Sequence, residues 1–463
     1  METNLIELGS NRDPAGSVFL AGERILRAVR AQYQPAVMEI LNQPAVQALL
    51  GKRIVATRPV EPGLPGFALT LEHDRIRPVS YAYEWPLRML QDAALQTLDI
   101  CIELNDCGLV LKDGTPANIL FDGPRPLMVD FTSLMPQEPD LLWVAYDQFV
   151  RLFLFPLLVG QEVSGRAARA LLLDSAADIR PEEITRLLPA FAWLRKPWLL
   201  SRLYLPMLAV DLMRKSGQDK DIARYRQAIP LKSPARRAFF EGLRRDVLSL
   251  RFAAGKSRWS QYYEDINAFF SPERFQAKQR TVAELIARCA PATVVDIGCN
   301  QGGYSILAAQ AGARVTAFDT DEDSVDLLYQ LVRAKDLPVL PLVGDALYPA
   351  PQTGWRAVEY AAAPHRFRSQ MALALALVHH LAISQIQTFE RIVRTLADYS
   401  ERWLITEFVP LSDPRSQELL LTNRRDMSWY TLENFLQALR QEYASVETSP
   451  SHPEGRTLCF CQK

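Results

Sequence analysis

The sequence predicts two domains of different fold class, an α+β domain in the first half and an α/β domain with a parallel sheet in the second. A chain of 463 residues exceeds what one hydrophobic core usually holds. From about residue 280, helical and extended patterns alternate, as a parallel sheet requires, whereas the first half mixes short strands with longer helices. We therefore expect domains over 1–235 and 281–463, with a helical connector and lid over 236–280.

Composition indicates a protein that needs neither nucleic acid nor a membrane as partner. The net charge is −1, and the longest apolar stretches, which begin at Leu152 and Met371, fall short of the roughly 20 residues of a membrane span. The first residues lack the basic and apolar segments of a signal peptide. Six dispersed cysteines without a CxxC pair favour neither a zinc site nor a disulfide framework. We expect a cytoplasmic protein without a bound metal.

Three segments define the expected first half. Helical spacing is predicted within "ERILRAVRAQYQPAVMEILNQPAVQALLG" and again from Leu87, where the helix closes near Gly108. The stretch "LVLKDGTPANILFDGPRPLMVDFTSL" predicts a loop and two strands joined by a tight turn at "DGPRP". Residues 213–258 are basic, which favours a solvated helical connector over a docking face for an acidic partner.

The second half begins with a candidate nucleotide site in "TVVDIGCNQGGYS". A strand ends at Asp296, and the turn that follows contains Gly298, Asn300 and Gly302 before a helix begins near Tyr304. Small residues at such a turn let the backbone approach a ligand closely. Dinucleotide folds prefer Gly-x-Gly-x-x-Gly without an acid at the strand end. A carboxylate two residues before the first glycine instead suits a ligand with a cation, such as S-adenosylmethionine (SAM), which carries an ammonium and a sulfonium.

Two further acids follow the next two strands. "RVTAF" ends at Asp319, where a carboxylate can bind both ribose hydroxyls, and "VLPLVG" ends at Asp345, where it can reach the adenine amino group. The last residues, "YASVETSPSHPEGRTLCFCQK", predict an antiparallel hairpin. Together these residues resemble a class I SAM-dependent methyltransferase. The resemblance implies a Rossmann-like, seven-stranded sheet with that hairpin at its end, and SAM as cofactor.

One pair of histidines is a candidate to act on the methyl acceptor. His379 and His380 follow the predicted strand "SQMALALALV" at the edge where open α/β sheets bind ligands. One of them could act as general base, or one could cap the next helix while the other packs. Glu407 ends the strand "RWLITEF" and is expected to be a substrate-side or structural carboxylate, with a metal site as the weaker alternative.

An aromatic segment, "SRWSQYYEDINAFF", stands where similar enzymes place a helix or lid over SAM. Trp259, Tyr262 and Tyr263 are candidates to line the acceptor pocket, or to form an aromatic contact between domains. The segments "ALALVHHL", "WLITEFVPLSDP", "YTLENF" and "GRTLCF" resemble a bacterial family of nodulation-type SAM methyltransferases. This resemblance favours O-methylation of a small secondary metabolite or glycan-like acceptor.

The first half has a candidate site of its own. The spacing of Asp113, Asn118 and Asp130 resembles the catalytic loop and metal-binding acid of protein kinases and aminoglycoside phosphotransferases. In those folds the first Asp orients the acceptor hydroxyl, while the Asn and the second Asp hold magnesium. Leu111 stands where a histidine is expected, and a glycine-rich loop and a strand lysine with a glutamate partner are not evident. The resemblance therefore implies a degenerate kinase-like domain over 1–235.

Three functions are consistent with these residues. The leading one is a SAM-dependent methyltransferase whose first domain recognises substrate or fixes the lid. The second is a bifunctional protein with an active phosphotransferase domain, supported by Asp113, Asn118 and Asp130 alone. The third is a non-catalytic module that binds SAM. An unrelated helical first domain with a chance loop is the structural alternative.

Overall fold

The computed structural model describes residues 5–8, 13–138, 143–173, 179, 181–189, 192, 195–199, 233–252, 257, 277–423 and 425–463. The chain divides into two compact units, here called the first unit (Met1–Phe121 with Pro126–Ala253) and the second unit (Asp122–Arg125 with Ala254–Lys463). Trp259, Tyr262 and Tyr263 lie outside the described residues. The expected boundaries at 235 and 280 stay predictions.

The first unit contains a five-stranded antiparallel sheet in the order β1-β2-β3-β5-β4. The prediction of a helix across "ERILRAV" is wrong, because these residues form β3, which pairs with β2 along one edge and with β5 along the other. Helix begins only at Gln34, next to Pro35 in its first turn. The strands are β1 (Leu5–Leu8), β2 (Gly16–Ala21), β3 (Arg24–Val29), β4 (Thr57–Pro59) and β5 (Leu69–His73).

Two short ribbons follow the long helix of this unit. The turn predicted at "DGPRP" joins the two strands of one ribbon, and the other ribbon is antiparallel. These strands are β6 (Leu109–Leu111), β7 (Ile119–Asp122), β8 (Arg125–Met128) and β9 (Leu134–Pro136), paired as β7 with β8 and β6 with β9. The loops between them carry Asp113, Asn118 and Asp130.

The predicted helix from Leu87 is confirmed. It runs to Asn105, and Gly108 follows with a φ of +72°, a conformation that favours glycine. The basic helix near the end of the unit packs against it, since Gln91 Nε2 donates to the Val247 carbonyl over 2.8 Å. The helices are α1 (Gln34–Leu41), α2 (Pro44–Leu49), α3 (Leu87–Asn105), α4 (Tyr146–Phe149), which continues through a π turn (Val150–Leu154) into α5 (Phe155–Glu162), α6 (Gly165–Leu171), α7 (Pro181–Leu187), α8 (Pro197–Leu199) and α9 (Ser233–Ser249).

The second unit is built on a seven-stranded sheet in the order β12-β11-β10-β13-β14-β16-β15. β10 to β14 are parallel, and β16 is antiparallel to both β14 and β15. The predicted sheet and its terminal hairpin are therefore confirmed. The strands are β10 (Thr293–Ile297), β11 (Arg314–Asp319), β12 (Val339–Val343), β13 (Ser369–Ala374), β14 (Ser400–Phe408), β15 (Ser445–Pro450) and β16 (Thr457–Gln462).

Helices separate these strands and cover the sheet. Val294, Val315 and Met371 from the strands pack with Ile306 and Leu328 from the helices in one buried cluster. Strands buried on both faces are expected of a parallel sheet, and their carboxyl ends meet at one edge. The helices are α10 (Ala277–Cys289), α11 (Gly303–Gln310), α12 (Glu322–Lys335), α13 (Ala363–Phe367), α14 (Phe389–Tyr399), α15 (Pro414–Thr422) and α16 (Leu432–Glu442). Among the described residues, none of the helices is long and apolar enough to cross a membrane.

Candidate functional site

The turn between β10 and α11 has a backbone that favours glycine at several positions. Gly298, Asn300 and Gly302 all have positive φ angles, of 72°, 50° and 75°. A Cβ atom on Gly302 would lie 2.4 Å from the Leu328 Cδ1 atom, so that position excludes a side chain on two grounds. α11 begins at Gly303, directly after this turn, and its first N–H groups are unpaired within the helix.

Asp296 lies in β10 two residues before Gly298, with only 3% of its surface exposed. Ser305 Oγ donates to its Oδ2 atom over 2.6 Å. Burial raises the pKa of Asp296 to about 6; the hydrogen bond from Ser305 opposes the shift, and the nearby Asp319 adds to it. A bound cation would therefore relieve an incompletely compensated carboxylate.

Asp319 ends β11 beside the same turn. Its Oδ2 atom accepts the N–H of Asn300 over 2.8 Å, and its Oδ1 atom accepts the N–H of Asp321 over 2.9 Å. Burial raises the pKa of this carboxyl as well, against these backbone hydrogen bonds. Because each carboxylate oxygen has a second lone pair, the group can still accept hydrogen bonds from a diol.

Asp345 follows β12, the strand that neighbours β11 at the sheet edge. Its Oδ1 atom accepts the N–H groups of Leu347 and Tyr348 over 2.8 and 3.3 Å, which fixes the start of the following loop. The structure therefore places Asp296, Asp319 and Asp345 at the carboxyl ends of three neighbouring strands.

The histidine pair lies beyond β13, which ends at Ala374, earlier than the sequence pattern predicts. The two imidazole centroids are 4.1 Å apart, and His380 opens a π turn that runs to Ser384. His379 is 1% exposed, and burial, followed by the proximity of His380, lowers its pKa to about 2. A ring that resists protonation so strongly is a poor general base, so His380, which is half-buried, is the better candidate.

Glu407 is fully buried near the end of β14 and has several protein partners. Lys278 Nζ lies 2.7 Å from its Oε2 atom, which also accepts the Ala376 N–H over 2.9 Å. Ser451 donates its hydroxyl to Oε1, and Arg456 Nη1 lies 3.9 Å from Oε2. Of the two expected roles, this partner set favours a structural carboxylate over a substrate contact.

Lys278, the cation that pairs with Glu407, is a buried charged residue that sequence reasoning missed. Its side chain is 9% exposed, and the ammonium lies 5.5 Å from the centroid of the Tyr304 ring, in the first turn of α11. Burial lowers the pKa of Lys278, while the carboxylate of Glu407 raises it. A signal was present, because Lys278 precedes the buried Val282 and Leu285 by four and seven residues and so shares the apolar face of α10.

The three kinase-like residues also come together, within the first unit. Asn118 Nδ2 lies 3.5 Å from Asp130 Oδ2, and Asp130 precedes the 3₁₀ turn that begins at Phe131. The backbone N–H of Asp113 donates to Ser133 Oγ over 3.2 Å. Burial and the proximity of Asp130 raise the pKa of Asp113. The loops thus form one polar cluster around Asp130.

A cation in this cluster was also missed. Arg27 extends from β3, and its Nη2 atom lies 2.9 Å from Asp130 Oδ1. Among the described residues of both units, no group of three or more His, Cys, Asp or Glu side chains could hold a metal ion.

Comparisons with known proteins give one relative over nearly the whole chain. Nodulation protein NoeA of Rhizobium meliloti (strain 1021) is 31% identical over 458 residues, which cover 97% of this chain and 94% of NoeA. The family described as tellurite resistance protein TehB matches residues 262–343.

Solved structures resemble the chain over less than half of its length. A protein of Nostoc punctiforme PCC 73102 aligns with 44% of this chain and 60% of its own, at 14% identity and a TM-score of 0.34. Magnesium protoporphyrin IX methyltransferase (ChlM) of Synechocystis PCC 6803, solved with bound SAH, aligns with 49% of this chain and 94% of its own, at 17% identity and a TM-score of 0.30. WbdD aligns with 42% of this chain and 44% of its own, at 18% identity and a TM-score of 0.29.

The strand order of the second unit, with its antiparallel terminal hairpin, is that of class I methyltransferases. The similarity to NoeA extends through both units. The chain therefore belongs to the same family as NoeA and contains a domain with the class I SAM-dependent methyltransferase fold.

Proposed function

We propose that the chain is an enzyme that transfers a methyl group from SAM to an oxygen of a small-molecule acceptor, a secondary metabolite or glycan-like compound. The observation that supports this proposal most directly is the position of Asp296, Asp319 and Asp345. They lie at the carboxyl ends of three neighbouring parallel strands, beside a turn that contains three residues with positive φ. Open α/β sheets bind ligands at this edge.

The residues present fit the cofactor. Asp296 would hold the ammonium, because burial leaves its carboxylate in need of a cation. Asp319 would accept the ribose hydroxyls, and Asp345 the adenine amino group. Gly298 and Gly302, with φ angles of 72° and 75°, would let the turn adopt the left-handed conformation that brings its backbone to the ligand. When bound, SAM supplies an electrophilic methyl group on its sulfonium.

The protein's own task is then to position an acceptor and remove its proton. Methyl transfer depends mostly on alignment, whereas a hydroxyl acceptor also needs a general base. We assign that role to His380, since the buried His379 resists protonation. Tyr262 and Tyr263, outside the described residues, stay predicted acceptor contacts.

Calorimetric titration with S-adenosylhomocysteine (SAH) tests the cofactor site. Asp319→Ala removes two charge-assisted hydrogen bonds to the ribose, each worth about 1.5–3 kcal/mol, so affinity should fall by at least about 100-fold. Glu390→Ala, which removes an exposed acid from α14, is the matched control and should leave affinity unchanged. An Asp319→Ala variant that binds SAH like wild type would refute the cofactor assignment.

Transfer of a labelled methyl group from SAM to a panel of hydroxylated small molecules tests the reaction. His380→Ala should lower turnover by about 100-fold or more without changing SAH affinity, as expected when a general base is lost. SAH binding with no transfer to any acceptor, together with unaltered behaviour of His380→Ala, would instead favour a non-catalytic SAM-binding module.

We also propose that the first unit is a degenerate kinase-like domain that recognises the acceptor, within the domain division 1–235, 236–280 and 281–463. Its support is the convergence of Asp113, Asn118 and Asp130 and the presence of a strand arginine, Arg27, beside them. Asp113→Ala should raise the KM for the acceptor and leave SAH affinity unchanged. An unchanged KM would remove the acceptor role from this unit.

A further inference from the structure

The carboxylate of Asp130 is already occupied by protein donors. Its Oδ1 atom lies 2.9 Å from Arg27 Nη2 and 2.8 Å from Thr132 Oγ1, and its Oδ2 atom lies 3.5 Å from Asn118 Nδ2. Magnesium demands near-octahedral oxygen ligands at about 2.1 Å. A guanidinium, not a metal ion, stands at Oδ1 of this carboxylate. The residues therefore do not fit the magnesium that the kinase resemblance implies.

Arg27 is held in this position by a second carboxylate. Its Nη1 atom donates to Asp13 Oδ2 over 2.8 Å and to Thr132 Oγ1 over 2.6 Å, and the residue is 5% exposed. Thr132 Oγ1 also lies 2.6 Å from Asp13 Oδ2, and its single hydrogen can be donated to only one of the two carboxylates at a time. Both carboxylates contact the guanidinium of Arg27. Lys112 Nζ, 3.5 Å from Asp13 Oδ1, contributes a second positive charge.

A neutral histidine fixes the remaining edge of the guanidinium. Thr57 Oγ1 donates its single hydrogen to the Val55 carbonyl over 2.9 Å, so His73 Nδ1, 2.8 Å away, must donate to Thr57. His73 Nε2 is then free to accept from Arg27 Nε, 3.4 Å away. This tautomer is neutral, in agreement with burial lowering the pKa of His73 to about 3.

The two carboxylates that Arg27 joins are paired without a metal. Asp13 and Asp130 face one guanidinium and one ammonium, and these bonds run between groups of the first unit. Asp113 is a third acid nearby, and burial and the proximity of Asp130 raise its pKa. A divalent cation next to the buried Arg27 would meet strong repulsion at low dielectric. The buried guanidinium therefore disfavours magnesium at Asp13 and Asp130 by its charge as well as by its position.

We propose that the guanidinium of Arg27 takes the place of the divalent cation in the kinase-like site. The first unit then functions without magnesium or a magnesium nucleotide, and removal of the guanidinium creates a metal site from the two carboxylates that it now joins, Asp13 and Asp130. This inference concerns the first unit alone and does not depend on methyl transfer in the second.

Titration of the full-length wild type with MgCl₂, and with ATP plus MgCl₂, tests the first half of the proposal. The expected result is no heat of binding, and a thermal unfolding midpoint that magnesium does not raise. Asp130→Asn should change that midpoint by the same amount with and without magnesium, since the lost charge pairs with Arg27 and not with a metal ion. Magnesium or magnesium-ATP binding that Asp130→Asn abolishes would overturn the proposal.

Unfolding of Arg27→Ala with and without millimolar MnCl₂ tests the second half. The variant should have a lower midpoint than wild type, and Mn²⁺ should raise it again, as a ligand of the folded state alone does. Arg24→Ala is the matched control, because Arg24 lies on the same strand with half of its side chain exposed and should give no metal response.

The double variant Arg27→Ala with Asp130→Asn separates a specific site from general ion effects. Its midpoint should not respond to Mn²⁺, because one of the two carboxylates is gone. A folded Arg27→Ala variant without any Mn²⁺ response, or an equal response in the double variant, would refute the created site. If Arg27→Ala does not fold, the wild-type and Asp130→Asn titrations still decide whether magnesium binds.

Discussion

Replacement of Glu407 by glutamine would test whether the acid at the end of β14 stabilises the fold or contacts the acceptor. The substitution keeps the size of the side chain but removes the negative charge that lies 2.7 Å from the Lys278 ammonium. Lys278 has 9% of its side chain exposed, so water cannot replace that partner. The variant leaves an uncompensated buried cation.

Two estimates of the free-energy cost of this substitution agree. Breaking a buried ion pair by removing one partner typically costs about 3–5 kcal/mol. Lys278 can escape by losing its proton, which at pH 7 costs about 4.6 kcal/mol for a group with an ordinary pKa near 10.4. We therefore expect a loss of about 3–5 kcal/mol in the free energy of unfolding of the second unit. For a unit of this size, that loss lowers the unfolding midpoint by roughly 10 °C.

The same argument fixes the sign of the pH dependence. In Glu407→Gln the folded-state pKa of Lys278 falls below its unfolded value, so the unfolded state binds more protons and stability rises with pH. The difference in unfolding free energy between variant and wild type should narrow as pH rises from 7 toward 10. This difference should stay constant between pH 5 and 7, because Lys278 is fully protonated in the unfolded state and the free-energy cost of burying its charge has reached its maximum.

Urea unfolding at several pH values measures these effects. Glu447→Gln is the matched control, since Glu447 is 59% exposed and 3.3 Å from Arg288, and an exposed pair contributes about 0–1 kcal/mol. In the double variant with Lys278→Met the loss should be smaller than the sum of the single losses. A Glu407→Gln variant of wild-type stability but weakened acceptor binding would refute this reasoning and restore Glu407 as a substrate residue.

Three further outcomes are expected in the second unit. SAH affinity should fall as pH drops below about 6, because Asp296 then gains a proton and can no longer hold the ammonium. Asp296→Asn should bind SAH weakly and without this pH dependence, and a wild-type affinity that is constant from pH 5 to 8 would contradict the assignment. Gly302→Ala should abolish measurable SAH binding in calorimetry, because residue 302 has a φ of +75° and the new Cβ would lie 2.4 Å from Leu328 Cδ1. An affinity within about twofold of wild type would show that the turn adapts. Phe435→Ala should cost about 3–5 kcal/mol in urea unfolding, because Phe435 is fully buried with its ring 5.1 Å from that of Phe389, and a loss below about 1 kcal/mol would mean that the core collapses into the space.

Local patterns were sufficient to predict the sheet edge and its acids. Asp296, Asp319 and Asp345 each follow a short apolar run, and parallel strands bring their carboxyl ends to one edge wherever the helices pack. The terminal hairpin followed from alternation and a turn in the same way. The β3 strand was predicted as helix because "ERILRAV" carries apolar residues at spacings that suit either structure, and only pairing with β2 and β5 decides between them.

The sequence by itself determined the parallel sheet, the acids along its carboxyl edge and the glycine-rich turn, because each depends on residues close together in the chain. Only the tertiary structure decided which charges neutralise each other. Lys278 and Glu407 are 129 residues apart, and Arg27, in β3, contacts Asp130, which follows β8. It also decided that His379 is buried and His380 is not, although the two are adjacent. Desolvation and charge pairing depend on distances in space, and no local pattern in the sequence encodes those distances.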